Sequence, residues 1–436
     1  AHHIPAAMRL SSSIHSTFAS NFKLLPYFKK KTYCKMVSKL TLSNYSTQIK
    51  AHVLAVQDGT LNLKGVVTGN QASDMDSICC ALTLAYLLTV TECADNEVYL
   101  PLVACHRGDS TMRGETVFAL QQAGVEMTDL VFGDDDCVLM LFDKATEVVL
   151  CDHCKADDFS QQGASKVGTI VDHHKDQNAH PHVTGFHRKI AQGHMVKKDA
   201  VKQLIGSCST AVVETFMAFP SGIELLARDK GAVAIVLYSV ILIDTVNMSV
   251  DIAKATDRDI AACGLTSHLT GGLPSQEVWY QQLMDAKFNS AMWRSMSAEQ
   301  ILRYDFKTFT NDDGTLSVGI SSILCSIEDF VAKPGWQEVL STKTKANGYH
   351  FYIVLCHLIT GDGTTQRQQL FFSDVSGRVA AASDFFRHTK TYDYQYSEPL
   401  EIPDDPVEVL AFNQLNVKLS RKAVGPTSIE FLNSEQ

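Results

Sequence analysis

Two aspartates stand one residue apart in Gly69-Asn70-Gln71-Ala72-Ser73-Asp74-Met75-Asp76-Ser77, directly after the apolar run Leu63 to Thr68. On extended backbone, side chains at i and i+2 point the same way, so Asp74 and Asp76 would offer paired hard ligands to one or two divalent cations. Three more junctions follow the same plan: Glu147 to Cys151 leads into Asp152, Gly168 to Val171 into Asp172-His173-His174, and Ala232 to Ile243 into Asp244-Thr245. One aspartate after an apolar run reads as a turn former or helix cap, and one histidine pair as a surface or core feature. Four such junctions in one chain read instead as a shared acidic pocket. Mixed carboxylate and imidazole donors suit manganese, cobalt or magnesium better than a thiolate-rich zinc site would. A divalent cation held in such a pocket lowers the pKa of a bound water.

Short apolar runs alternating with helical stretches predict an α/β fold: a larger N-terminal domain with a mainly parallel sheet flanked by helices, and a smaller α/β domain closing a cleft. Carboxylates at the carboxyl ends of parallel strands lie where open sheets bind ligands. Strands are expected at Leu63–Thr68, Val98–Ala104, Cys137–Phe142, Glu147–Cys151 and Val167–Val171, and a helix at Ser77–Thr89. Two glycines and a proline in Gly271-Gly272-Leu273-Pro274-Ser275 mark a linker. The expected organisation is a leader over residues 1–35, a metal-binding domain over 36–270, a linker over 271–285 and a second domain over 286–436.

The 436 residues suit two hydrophobic cores. A formal charge of -10 disfavours a general nucleic-acid binder, and apolar runs such as Gly231 to Ile243 are too short for a membrane span. Twelve cysteines scattered through a long chain match a reducing compartment. Residues 1 to 57 carry eight Lys and Arg and no acid, leaving about -18 on the remainder once those eight charges are set apart from the total of -10. A basic, Ser-rich leader resembles a mitochondrial transit peptide, and a non-native extension ahead of Met36 reads equally well. A cytoplasmic product starting near Met36 is the simpler expectation, with import as the alternative.

Cys151-Asp152-His153-Cys154 invites a zinc reading but has no second ligand pair at suitable spacing. The cluster from His187-Arg188-Lys189 to Lys197, Lys198 and Lys202 reads as a polyanion track or as a solvated face. Gly206-Ser207-Cys208-Ser209-Thr210 precedes a helical run, so its hydroxyls and N–H groups would cap the helix or bind phosphate.

Together, Asn70-x-x-x-Asp74-x-Asp76-Ser77, Asp152, Asp172-His173-His174 and Asp244-Thr245 resemble the successive motifs of the DHH phosphoesterase superfamily. Ser420-Arg421-Lys422, with Tyr304-Asp305-Phe306-Lys307 as a second echo, resembles the DHHA2 domain found in exopolyphosphatases, prune-type proteins and family II pyrophosphatases. The resemblance implies that Asp74 binds one metal, that Asp76, His173 and Asp244 bind the other, and that Asp152 bridges them. It further implies that His174, in the Asp172-His173-His174 motif, serves as hydrogen-bond donor or general acid. Arg421, Lys422, Lys307 and Asn70 would bind substrate, and Asp172 would belong to the catalytic set. Asn70 stands where the pyrophosphatases use a histidine ligand, which favours the exopolyphosphatase and prune branch. His106-Arg107 and Arg113-Gly114-Glu115 are further similarities to that branch. The implied activity is hydrolysis of terminal phosphoanhydride bonds of inorganic polyphosphate with two divalent ions. The alternatives are a short-chain polyphosphatase or pyrophosphatase, a cyclic nucleotide phosphodiesterase, and a prune-like interaction scaffold.

Overall fold

The computed structural model describes residues 39–191, 205–249, 254–359, 364–402 and 408–435. The leader over residues 1–35 and the cationic stretch Lys197 to Lys202 lie outside the described residues. The chain divides into two compact units, residues 1–287 and 288–436.

In the N-terminal unit, α1 (Leu42–Asp58) precedes β1 (Asn62–Thr68), α2 (Met75–Glu92), β2 (Glu97–Val103), α3 (Gly114–Gln122) and β3 (Val131–Phe132). Then follow α4 (Val138–Lys144), β4 (Glu147–Cys151), β5 (Val167–Asp172), β6 (Arg188–Ile190), α5 (Cys208–Met217), α6 (Gly222–Asp244), α7 (Asp257–Leu269) and α8 (Gln276–Lys287). The strands run in the order β3-β2-β1-β4-β5-β6, and every pairing is parallel. The strand order therefore reverses between β1 and β4, and a doubly wound sheet opens a ligand crevice beyond the carboxyl ends of two such neighbours. Asn70 to Asp76 follow β1, and Asp152 follows β4.

Three sequence expectations need correction. Cys137–Phe142 was expected as a strand but Val138–Lys144 is helical, with Val138, Leu141 and Phe142 buried at helical spacing; short apolar runs do not separate the two states. The run into Asp244 is likewise a helix, the second limb of α6, apolar all round because it is enclosed on every side. The 271–285 segment is not an open linker. Gln276–Lys287 is helical, and its Trp279 and Leu283 join the core of the N-terminal unit.

Helix α6 breaks at Arg228–Gly231, where Asp229, Lys230 and Gly231 turn left-handed. Gly231 is required there, since a Cβ would lie 2.0 Å from the Leu269 carbonyl oxygen. Helix α2 is long and apolar enough to cross a membrane by composition, yet it is a core helix, with Met75 to Leu87 all buried.

The C-terminal unit comprises α9 (Ser290–Ser295), α10 (Ala298–Arg303), β7 (Phe306–Thr310), β8 (Ser317–Ile323), α11 (Ile327–Val331), α12 (Trp336–Ala346), β9 (Phe351–Ile359), β10 (Thr365–Phe372), α13 (Arg378–His388), β11 (Tyr396–Pro399), β12 (Val409–Gln414) and α14 (Arg421–Ser434). Its strand order is β11-β12-β10-β9-β8-β7, antiparallel except where β8 meets β9. Phe351, Ile353, Phe371, Phe386, Phe412 and Phe431 fill its core.

Candidate metal centre

The loop after β1 is pulled tightly onto the start of α2. A Cβ on Gly69 would lie 2.6 Å from that of Ser77, so only glycine permits the approach. Asn70 N–H donates to Ser77 Oγ (3.2 Å), and Ser73 turns left-handed at φ 44°. Asp74 then caps α2, accepting from Ser77 N–H at 3.0 Å, and Asp76 sits in the first helical turn. The extended i, i+2 pair expected from the sequence is therefore replaced by a cap and a helical residue. Asp74 is exposed at the helix mouth, whereas Asp76 is buried. The buried Arg113 donates to the Ala72 carbonyl at 2.5 Å and pins the loop from outside.

At the end of β4, Asp152 adopts φ 60°, a left-handed conformation costly for a residue with a Cβ. Its Oδ2 accepts from Ser77 Oγ (2.7 Å) and from Asn70 Nδ2 (2.9 Å), and the Asn70 amide also donates to the Asp152 carbonyl at 3.0 Å. Asn70 Oδ1 in turn accepts from Ala72 N–H at 2.9 Å. The structure thus engages Asn70 in positioning Asp152. Asp152 Oδ1 is buried with no hydrogen bond, 3.2 Å from His173 Nε2 and 3.5 Å from His174 Nδ1.

Asp172, at the end of β5, is fully buried and orients both histidines. Its Oδ1 accepts from His173 N–H (2.8 Å), His174 N–H (3.1 Å) and His174 Nδ1 (2.9 Å). With Nδ1–H bonded to Asp172, His174 presents Nε2 away from that carboxylate on a half-exposed side chain. That bond, with burial opposing it, raises the His174 pKa above the usual histidine value. Asp172 is consequently a positioning residue. Burial alone would lift its own pKa, but the His174 contacts and amides hold it below the carboxylate norm.

His173 Nε2 also faces Asp76, 3.8 Å from Oδ2. Burial opposes its positive charge, yet Asp152 and Asp76 raise its pKa well above normal. Burial first, then the charges of Asp74 and Asp76, push Asp152 up to about 7. Burial followed by Asp76 and Asp74 raises Asp244 well above the carboxylate range. Asp244 Oδ2 is buried without a partner at the C-terminal end of α6. Val246, Asn247 and Met248 then all turn left-handed, and Asn247 is tied to α8 by bonds to Glu277 (2.6 Å) and from Gln276 (2.9 Å). Left-handed residues that carry a Cβ thus cluster beside Asp74, at Asp152 and after Asp244, where strain marks positions fixed by their surroundings.

Asp76 is bound differently. Its Oδ2 accepts from Cys208 N–H (2.6 Å) and Ser207 Oγ (3.3 Å), and its Oδ1 from Ser209 N–H (2.9 Å), Ser209 Oγ (3.0 Å) and Cys80 Sγ (3.1 Å). A carboxylate from α2 therefore closes the positive N-terminus of α5. The amides that were candidates for phosphate binding are engaged by Asp76, Ser207 is the cap, and Thr210 Oγ1 donates to Asp259 at 2.6 Å. The sequence reading missed Cys80, although Asp76 and Cys80 at i and i+4 share one helix face.

Among the described residues, two clusters have the donors and spacing for a divalent ion: Asp152, His173 and His174, and Asp76, Cys80 and Cys208, each with ligand atoms within 4.8 Å of one another. The first cluster fits a hard cation. Asp152 Oδ1, buried and accepting no hydrogen bond, faces His173 and His174, and His173 Nε2 also faces Asp76, so carboxylate and imidazole donors converge where a divalent cation would neutralise the negative charge.

Among the described residues Cys151 and Cys154 form no disulfide; Cys151 Sγ lies on the Thr68 carbonyl at 3.4 Å, and Cys154 Sγ accepts from Gln177 N–H at 3.4 Å. The described part of the basic cluster is also engaged. Arg188 pairs with Asp176, Lys189 donates to Thr215 Oγ1 at 3.0 Å, and His187 meets Thr169 Oγ1 at 3.1 Å. In the C-terminal unit, Arg421 begins α14 and holds the Asp305 carboxylate (2.7 Å) and carbonyl (2.6 Å), which brings the start of β7 to the helix. Lys307 and Lys422 are exposed.

Residues 64–239 match the DHH family N-terminal domain and residues 281–430 the DHHA2 domain. The chain is 29% identical over 373 residues to Exopolyphosphatase PRUNE1 of Bos taurus, covering 85% of this chain and 76% of that protein. It is 27% identical over 376 residues to the Homo sapiens protein of that name, with the same coverage. With the Manganese-dependent inorganic pyrophosphatase of Methanocaldococcus jannaschii it shares 23% identity over 344 residues, 77% of this chain and 97% of the relative. A DHH domain followed by a DHHA2 domain, with the similarity to these relatives, places the chain in the DHH phosphoesterase superfamily, in the branch of the prune-type exopolyphosphatases.

Proposed function

We propose that the protein is a metal-dependent exopolyphosphatase that removes terminal orthophosphate from inorganic polyphosphate. The observation that carries this reading is the grouping of Asp152, His173 and His174 at ligand spacing, in which Asp152 Oδ1 is buried and accepts no hydrogen bond and the His174 tautomer is set by Asp172. Asp74, Asp76, Asp152, His173 and Asp244 would hold divalent cations, manganese, magnesium or cobalt, with Asp152 common to both positions. When bound, such ions supply Lewis acidity and an activated water at neutral pH.

The chain's own groups do the rest. His174 Nε2 donates a proton or hydrogen bond to the departing phosphate oxygen, while Asp172 keeps Nδ1 protonated and the ring fixed. Asn70 and Ser77 hold the Asp152 carboxylate so that Oδ1 stays free. Arg421 offers a planar fork to phosphate oxygens once it exchanges Asp305 for substrate, and Lys422 and Lys307 add positive charge.

Polyphosphate is favoured over pyrophosphate because Asn70, an amide donating to Asp152, stands where a pyrophosphatase of this superfamily would have a histidine ligand. The relatives from Bos taurus and Homo sapiens, named as exopolyphosphatases, support the same choice. The test compares orthophosphate release from long-chain polyphosphate and pyrophosphate, and hydrolysis of cyclic AMP, with manganese or magnesium present. Fastest release from polyphosphate supports the reading, and faster pyrophosphate cleavage replaces it. No turnover of any of the three leaves an interaction scaffold. The same proposal puts the protein in the cytoplasm, with mitochondrial import as the alternative; a fluorescent reporter fused after residue 35 separates the two.

A further inference from the structure

We propose that Asp76, Cys80 and Cys208 form a second cation site, selective for thiophilic divalent ions such as zinc and cadmium, which shares Asp76 with the hard-cation centre. The three residues are buried, and their ligand atoms lie within 4.8 Å of one another. Cys80 is one helical turn beyond Asp76 on α2, with Sγ 3.1 Å from Asp76 Oδ1. Cys208 is the first residue of α5, and its N–H already holds Asp76 Oδ2 at 2.6 Å. Ser209 Oγ, 3.0 Å from Asp76 Oδ1 and 3.3 Å from Cys80 Sγ, is placed as a fourth, oxygen donor.

Sulfur donors set the preference. Two thiolates and a carboxylate select zinc or cadmium over magnesium and manganese, which take oxygen and imidazole ligands. A thiol binds such an ion as the thiolate, so the Cys80 and Cys208 protons must leave when the ion enters. Binding breaks two S–H bonds, forms two sulfur–metal bonds and releases two protons to solvent. It also ends the Cys80 bond to Asp76 and the Cys208 bond to the Val171 carbonyl (3.2 Å).

Sharing Asp76 has a consequence. His173 Nε2 lies 3.8 Å from Asp76 Oδ2, so an ion bonded to Cys80 and Cys208 draws Asp76 away from the ligand set that includes His173. A thiophilic ion would then inhibit by capturing a shared ligand rather than by replacing the hard cation in its own place. The inhibitory part rests on the function proposed above; the binding part does not.

The test titrates the metal-free full-length protein with cadmium and follows sulfur-to-cadmium charge transfer in the ultraviolet, in the wild type and in Cys80→Ser, Cys208→Ser and the double variant. One thiolate-bound cadmium per chain, lost in the double variant, is the expected result. A band of undiminished intensity in the double variant overturns the proposal. X-ray absorption on the wild-type cadmium complex guards against misfolded variants: two sulfur neighbours with oxygen support the site, and all-oxygen or four-sulfur coordination refutes it. With polyphosphate as substrate, the cadmium concentration that halves each protein's own rate should rise about tenfold in the double variant. If cadmium binds as described but no protein releases phosphate, the cation site stands and the exopolyphosphatase reading falls.

Discussion

In the N-terminal unit, Asp76 and Asp152 are buried and each takes hydrogen bonds from elsewhere in the fold, Asp76 from the start of α5 and Asp152 from Asn70 and Ser77. In the C-terminal unit, Lys307 and Lys422 are exposed, and Arg421 is held through Asp305. The first arrangement costs stability, because two carboxylates are enclosed together and Asp152 sits on strained backbone. Such a centre is preorganised for one kind of ligand and tolerates little change. The second places two exposed lysines near an arginine fork that is held by Asp305. The function proposed above gives the chemistry to the buried cluster and substrate range to the exposed residues.

If the two regions differ in this way, substitutions should separate them by size and kind. Asp152→Asn should lower orthophosphate release by about 100-fold or more at saturating polyphosphate, because it removes the carboxylate proposed to serve both cation positions. Arg421→Ala should raise KM for polyphosphate about tenfold with kcat nearly unchanged, and Arg421→Lys should recover part of the loss. A kcat fall in Arg421→Ala as deep as that of Asp152→Asn would erase the distinction.

A subtler contrast concerns pH. Asp152 and His173 both have pKa values raised in the folded, metal-free protein. Each then contributes stability that is complete below its unfolded value and is lost as pH rises through its folded value, about 7 for Asp152. The metal-free Tm should accordingly fall between about pH 6 and pH 8, and manganese, competing with fewer protons, should raise Tm more at the upper end. Thermal scans at both pH values check this, and Asp152→Asn should flatten the difference. The smallest effect is expected at the tie between Asn247 and α8. Glu277→Ala removes a 2.6 Å bond to the left-handed turn after Asp244, and should weaken manganese binding only about two- to threefold.

Much of the acidic centre could be read from the chain, because each ligand follows an apolar run and the resemblance ordered the runs. The path by which the ligands arrive was less legible. Asp244 comes on a helix rather than a strand, since a run buried on all sides looks alike in both states. Asp74 and Asp76 diverge because Asp74 ends as a helix cap, which the spacing alone does not reveal. The task of Asn70 was also hidden: holding Asp152 depends on β1 and β4 being neighbours, a fact of topology that local pattern does not carry. Arg421 stood out only through its resemblance to the DHHA2 motif, and its bond to Asp305 spans 116 residues and belongs to the folded unit.

The most direct measurement is calorimetric titration of the metal-free protein with manganese, in the wild type and in Asp152→Asn. Saturable uptake by the wild type that is abolished or weakened by orders of magnitude in the variant is the expected result. Equal uptake by the two proteins, or none by the wild type, would contradict a cation centre built on Asp152.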